Sequence, residues 1–163
     1  MVERKGAALA ICLPATAEGF AMVASIQPKV AIVEDDEILA FMLDETCKSA
    51  GCNVVGRAAN AADAIKLLRD APPDFLILDF ALDGDHDGLE LLEAVKRSSP
   101  DMFTILVTGW DINDIAARLD GIQPDRILRK PVMPHVLTNL IETSFAARQD
   151  RRGPGELETV TRH

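Results

Sequence analysis

The 163 residues suffice for one domain with short flanks, and 48% of them are apolar, enough to fill a core. A formal charge of −9 argues against nucleic acid as a main partner, and no run approaches the roughly 18 apolar residues of a membrane span. Cys12, Cys47 and Cys52 form no Cys-x-x-Cys pair and are odd in number, so a disulfide framework or a zinc site is not expected, and a reducing, cytoplasmic setting is.

Residues 1–28 read as an extension, expected to be poorly ordered. Arg4 and Lys5, the apolar run Ala7-Ala-Leu-Ala-Ile-Cys-Leu13 and then Ala15-Thr-Ala17 loosely copy a secretory signal. The run is short and Glu3 weakens its charged end, so secretion is not the reading adopted; Met22 is an alternative start.

From Lys29 onward short apolar runs alternate with helical periods. Val30-Ala-Ile-Val33 reads as a strand. Residues 37–50 read as a helix with Leu39, Met42, Leu43 and Thr46 on one face, stopped by Gly51. Asn53-Val-Val55 is a second strand. Asn60 can cap a helix over 61–70 whose Ala61, Ala64, Ile65 and Leu68 face inward. Pro72-Pro73 breaks the chain, and Asp74-Phe-Leu-Ile-Leu78 is a strand apolar enough to be buried on both faces. An acidic loop over 80–87 leads to a helix from Leu89 to Arg97. Met102 to Val107 forms a fourth strand. Asp111 caps a helix with Ile112, Ile115, Ala116 and Leu119 as its stripe, ended by Gly121. Arg126-Ile-Leu128 is a short fifth strand. Residues 133–148 form the last helix, with Leu137, Leu140 and Ile141 inward. Its basic end, Arg148, Arg151 and Arg152, reads as solvated, and the polar tail from Gln149 is expected to be disordered.

Apolar strands alternating with helices imply an α/β fold, a parallel sheet covered on both sides. Such sheets hold ligands beyond the carboxyl ends of their strands. The residues delivered there are Glu34-Asp35-Asp36, Asp79, Thr108-Gly109 and Lys130-Pro131. Any one of them could be a cap or a turn; four strand ends in register are hard to explain that way. Converging carboxylates repel one another unless a hard divalent cation lies among them, and oxygen ligands suit Mg²⁺. A carboxylate can also attack phosphorus to give an acyl phosphate. A lysine and a hydroxyl would then bind the other phosphoryl oxygens.

Over about residues 29–148 the chain resembles a response-regulator receiver domain. The family pattern is an acid pair after the first strand, a phosphoacceptor Asp after the third, Thr or Ser after the fourth and Lys-Pro after the fifth. Glu34-Asp35, Asp79, Thr108 and Lys130-Pro131 match it. The resemblance implies a doubly wound, flavodoxin-like sheet of order 2-1-3-4-5. It implies Mg²⁺ bound by Glu34, Asp35, Asp79 and the backbone carbonyl of Ala81, phosphorylation of Asp79, and phosphoryl contacts from Thr108 and Lys130. The implied donor is a sensor histidine kinase or a histidine phosphotransfer protein. The chain would catalyse its own phosphorylation and dephosphorylation without being a dedicated enzyme. Asp36 reads as a helix N-terminal acid.

Three departures stand out. The loop Asp83-Gly-Asp-His-Asp-Gly88 lacks the family's common Met-Pro. Ile127 stands where many members carry a switching aromatic, three residues before the lysine, and Trp110 is the candidate replacement; its simpler reading is an aromatic packed on the last two helices. No output module is read after residue 148, so the expectation is a single-domain regulator acting on an unknown protein target through helix four, strand five and helix five. Rival readings fare worse. The loop opens like a calcium-binding EF-hand, but its twelfth position is Ala94 rather than Glu, and His86 is read as a lone solvated side chain. A phosphatase of the haloacid type would need an acid where Ala81 stands. The alternative of another class is a receiver fold used as a phosphorylation-independent interaction module, against which the complete acid pocket argues.

Overall fold

The computed structural model describes residues 26–82 and 87–152. The elements alternate strictly: β1 (Lys29–Val33), α1 (Glu37–Ser49), β2 (Asn53–Ala58), α2 (Ala61–Asp70), β3 (Phe75–Asp79), α3 (Asp87–Ser98), β4 (Phe103–Thr108), α4 (Ile112–Arg118), β5 (Arg126–Arg129) and α5 (Pro134–Arg151). The five strands form one parallel sheet of order β2-β1-β3-β4-β5. The expected fold class and strand order are those observed.

Strand alternation divides the core in two. Ala31, Val33, Leu76, Leu78 and Leu106 point to the face covered by α2, α3 and α4. Val30, Ile32, Phe75, Ile77, Ile105 and Val107 point to the face covered by α1 and α5. Every residue of β3 is buried, as its unbroken apolar run predicts.

Helix starts follow local chemistry. Asp36 caps α1 by accepting from the N–H groups of Ile38 and Leu39 (2.9 and 3.0 Å), and Asn60 caps α2 by accepting from Asp63 N–H (2.8 Å). At the other end of α1, Gly51 takes φ +78 and donates to Lys48 O, while Cys52 N–H donates to Cys47 O; both bonds are 3.0 Å. That pair of bonds is a Schellman stop.

Several inner faces differ from expectation. In α1 the buried residues are Ala40, Leu43, Asp44 and Cys47, and Met42 is exposed. Leu39, Met42, Leu43 and Thr46 do share one face, which lines a cleft toward the start of α5 with Val132, Pro134 and Leu137, while Ala40 and Cys47 let the other side of the helix approach the sheet. In α2, Ile65 is exposed and Leu67 packs inward over Gly56, where a Cβ would meet Leu67 Cδ1 at 2.6 Å. In α4 only Ile115 and the following Leu119 are buried; Ile112 and Ala116 are exposed on so short a helix. β2 runs on to Ala58 and α5 to Arg151, past their expected ends. Residues 1–25 and 153–163, with the expectations placed on them, lie outside the described residues, as do Asp83, Asp85 and His86 of the acidic loop.

A polar knot fastens the edge strand. Asp125, just before β5, accepts from the N–H and hydroxyl of buried Thr104 (2.8 and 3.0 Å) and from Lys96. Burial works against the Asp125 charge, but these bonds outweigh it and hold its carboxyl below the ordinary 3.8. The stabilisation is therefore full above pH 3.8 and fades as pH falls through the depressed native value. Asp125→Asn should lower urea stability by about 1 kcal/mol at neutral pH, with the gap from wild type closing in acid. Equal stabilities at neutral pH would contradict this.

Candidate functional site

Four of the expected residues converge at the carboxyl edge of the sheet. Glu34, directly after β1, is buried and donates its N–H to Ala58 O (3.0 Å). Asp35 is exposed beside it. β3 carries Asp79 at its last position, buried, and Phe80 N–H donates to Val107 O (2.9 Å), fixing that end against β4. One carboxylate oxygen from each of Glu34, Asp35 and Asp79 lies within 4.8 Å of the others. Lys130 follows β5, where its N–H donates to Thr108 O (2.7 Å). Its Nζ stands 2.9 Å from Glu34 Oε2 and 3.0 Å from Asp79 Oδ2.

Thr108 ends β4 fully buried. Its hydroxyl oxygen accepts from Trp110 N–H (2.9 Å), which leaves the hydroxyl hydrogen for an incoming acceptor. Ala81 stands two residues past Asp79 and donates its N–H to Asp79 Oδ1 (3.1 Å). Trp110 is 40% exposed. Its ring meets Phe80 edge-on at a centroid distance of 5.9 Å, and the Arg118 guanidinium lies 4.6 Å from the ring centre. The aromatic thus touches the residue after Asp79 as well as α4, a link to the site that the expectation of packing on the last two helices did not contain.

Sequence reasoning also missed Gly88. A Cβ there would lie 2.5 Å from both Asp79 O and Phe80 O. Only glycine lets the start of α3 press against the backbone that carries Asp79. The available signal was an Asp-Gly pair closing the acidic loop.

The electrostatics favour a cation. Burial pushes the Glu34 carboxyl up to about 7, with Asp79 adding to the push and Lys130 opposing it. Burial also works against the Lys130 charge, but Glu34 and Asp79 outweigh it and raise its pKa. The lysine reaches Glu34 Oε2 as an ion pair without hydrogen-bond alignment, so that buried oxygen lacks a hydrogen-bond donor. Three carboxylates against one ammonium leave a deficit of positive charge that a hard divalent ion, bound through oxygen, would meet. Among the described residues, no helix is long and apolar enough to cross a membrane.

The model of the response regulator receiver domain matches residues 30–142. The chain belongs to that family. It is 31% identical over 110 residues to the transcriptional regulatory protein AfsQ1 of Streptomyces coelicolor, covering 68% of this chain and 48% of AfsQ1. The signal receiver domain of a modulated diguanylate cyclase from Desulfovibrio desulfuricans superposes with a TM-score of 0.68 at 27% identity, covering 77% of this chain and 98% of that one. A CheY-like receiver domain protein from Methanospirillum hungatei shares the fold, with a TM-score of 0.69 at 23% identity over 77% of this chain and 98% of that one. The chain spans about half the length of AfsQ1 and of the response regulator VraR of Staphylococcus saprophyticus. This receiver domain is therefore of the kind found in two-component response regulators, with an acidic cluster at the expected edge.

Proposed function

We propose that this receiver domain accepts a phosphoryl group on Asp79 from the phosphohistidine of a sensor histidine kinase or histidine phosphotransfer protein. The observation that carries the reading is Lys130 bridging Glu34 and Asp79 beside Asp35. An Asp79 carboxylate oxygen forms the new P–O bond as the donor's P–N bond breaks. Glu34, Asp35, Asp79 and the Ala81 carbonyl are the groups that would hold Mg²⁺. When bound, Mg²⁺ supplies positive charge against the clustered carboxylates and the arriving phosphoryl group. Lys130 binds one phosphoryl oxygen and Thr108 donates its hydroxyl to another. Turning Thr108 toward the phosphoryl group strains its bond from Trp110 N–H, and Trp110, packed on Phe80 and Arg118, passes that change to α4. The phosphoryl group thereby biases a two-state equilibrium, read by a protein target on α4, β5 and α5. A net charge of −9 supports a protein rather than nucleic acid as the direct partner of this domain.

Incubation with a small phosphodonor should add one phosphoryl group by intact mass with Mg²⁺ and none without it. No adduct, together with no effect of Mg²⁺ on Trp110 fluorescence, would favour a phosphorylation-independent interaction module.

The donor protein has an apolar approach beside the site. Ile38, Phe41 and Met42 are 72, 54 and 55% exposed, in the first two turns of α1, the helix that follows Glu34 and Asp35. Phe41→Ala should slow phosphotransfer from the protein donor about tenfold, the effect of truncating an interface aromatic worth about 1.4 kcal/mol. Uptake from a small phosphodonor should be unchanged. Equal slowing of both would remove α1 from the docking surface.

A further inference from the structure

Cys47 and Cys52 lie outside the acidic site, on opposite sides of the α1 stop. Cys47 is the third residue from the helix end and fully buried; Cys52 is the second residue after Ala50, which caps the helix, and is 7% exposed. Cys52 N–H donates to Cys47 O at 3.0 Å. Standard bond lengths on either side of that hydrogen bond cap the Cα separation at about 7 Å, near the upper end of what a disulfide spans. The Schellman geometry turns the side chains of these two positions toward each other. Both belong to the core on the α1–α5 face, and both are free. Apolar packing alone requires no sulfur at either position.

We propose that Cys47 and Cys52 form an oxidisable dithiol that a hydroperoxide converts to an intramolecular disulfide within the native fold. The more exposed sulfur reacts first. Interaction with the neighbouring Cys47 thiol lowers the Cys52 pKa against the penalty of burial, while Cys52 and then burial raise Cys47. The Cys52 thiolate attacks a peroxide oxygen; the S–O bond forms, the O–O bond breaks, and the alcohol, or water from hydrogen peroxide, leaves with a proton. Cys47 sulfur then attacks the sulfenic sulfur. The S–S bond forms, the S–O bond breaks, and hydroxide leaves as water with the Cys47 proton. Two thiols lose two electrons and two protons, and one hydroperoxide is reduced. The product closes a short ring across the turn and ties the end of α1 to the start of β2.

Tryptic mapping tests this directly. Cleavage at Lys29, Lys48 and Arg57 puts Cys12, Cys47 and Cys52 in separate peptides, 6–29, 30–48 and 49–57. The full chain is treated with hydrogen peroxide in native buffer, quenched with a thiol-alkylating reagent in denaturant, and digested without reductant. The expected result is a cross-linked 30–48/49–57 pair, lost after reduction, with circular dichroism unchanged by oxidation. Cys52→Ser should leave Cys47 alkylatable and unoxidised after the same treatment. Alkylation of all three cysteines in the treated wild type would overturn the proposal. So would a cross-link to Cys12, or a 30–48/49–57 pair that forms only when the oxidant is added in denaturant.

Discussion

Asp79→Asn should abolish phosphoryl uptake while leaving the fold intact. The side chains are nearly isosteric, the position is the last of a fully buried strand, and Phe80 N–H still bonds to Val107 O. Thermodynamic stability should therefore stay within about 1 kcal/mol of wild type, because two opposing effects fall on the same group. The substitution weakens the contact of Lys130 with Asp79 Oδ2, and it removes one carboxylate from a crowded cluster. Intact mass with a small phosphodonor and Mg²⁺ reads the chemistry, and urea unfolding reads the fold. A single adduct of unchanged size in the folded mutant would place the acceptor elsewhere and overturn the assignment of Asp79.

Gly88→Ala should have a large structural effect for a single methyl. The new carbon would stand 2.5 Å from two backbone carbonyl oxygens and 2.9 Å from Phe80 C. None of these atoms can swing aside as a side chain would. Relief requires either the start of α3 or the end of β3 to move, an overpacking cost of about 2–3 kcal/mol. Both routes disturb Asp79 or the chain leading from it. The expected result is a lower urea midpoint and a slower phosphorylation rate at saturating Mg²⁺. A mutant as stable as wild type would show that α3 can shift freely against the strand.

The large pattern was readable because it rests on chemistry that the sequence displays locally. Unbroken apolar runs such as Phe75–Leu78 announce buried strands, Asp36 and Asn60 announce helix starts, and four strand ends carry acid, acid, hydroxyl and amine. What escaped depends on contact between distant segments. Met42 and Ile65 are apolar at plausible helical spacing, yet the sheet meets α1 through Ala40 and Cys47 and meets α2 through Ala64, where small size matters more than hydropathy. Asp44 is buried on α1 with Lys48 and Arg57 reaching it at 3.0 and 3.6 Å, and the second partner comes from β2. Gly88 and the Phe80–Trp110 contact were hidden for the same reason: each records a neighbour far along the chain.

Among the described residues the sheet ends on β2 and β5, and β5 has consequences for how the domain can associate. It is four residues long and has arginine at both ends, Arg126 and Arg129, each exposed. A short, charged margin offers few unpaired amides to an added strand and resists growth of the sheet into a neighbouring molecule. A partner docking on this flank would then be met through side-chain shape and charge rather than backbone annealing. Such contacts can be made and released readily, whereas a continued sheet would tend to persist.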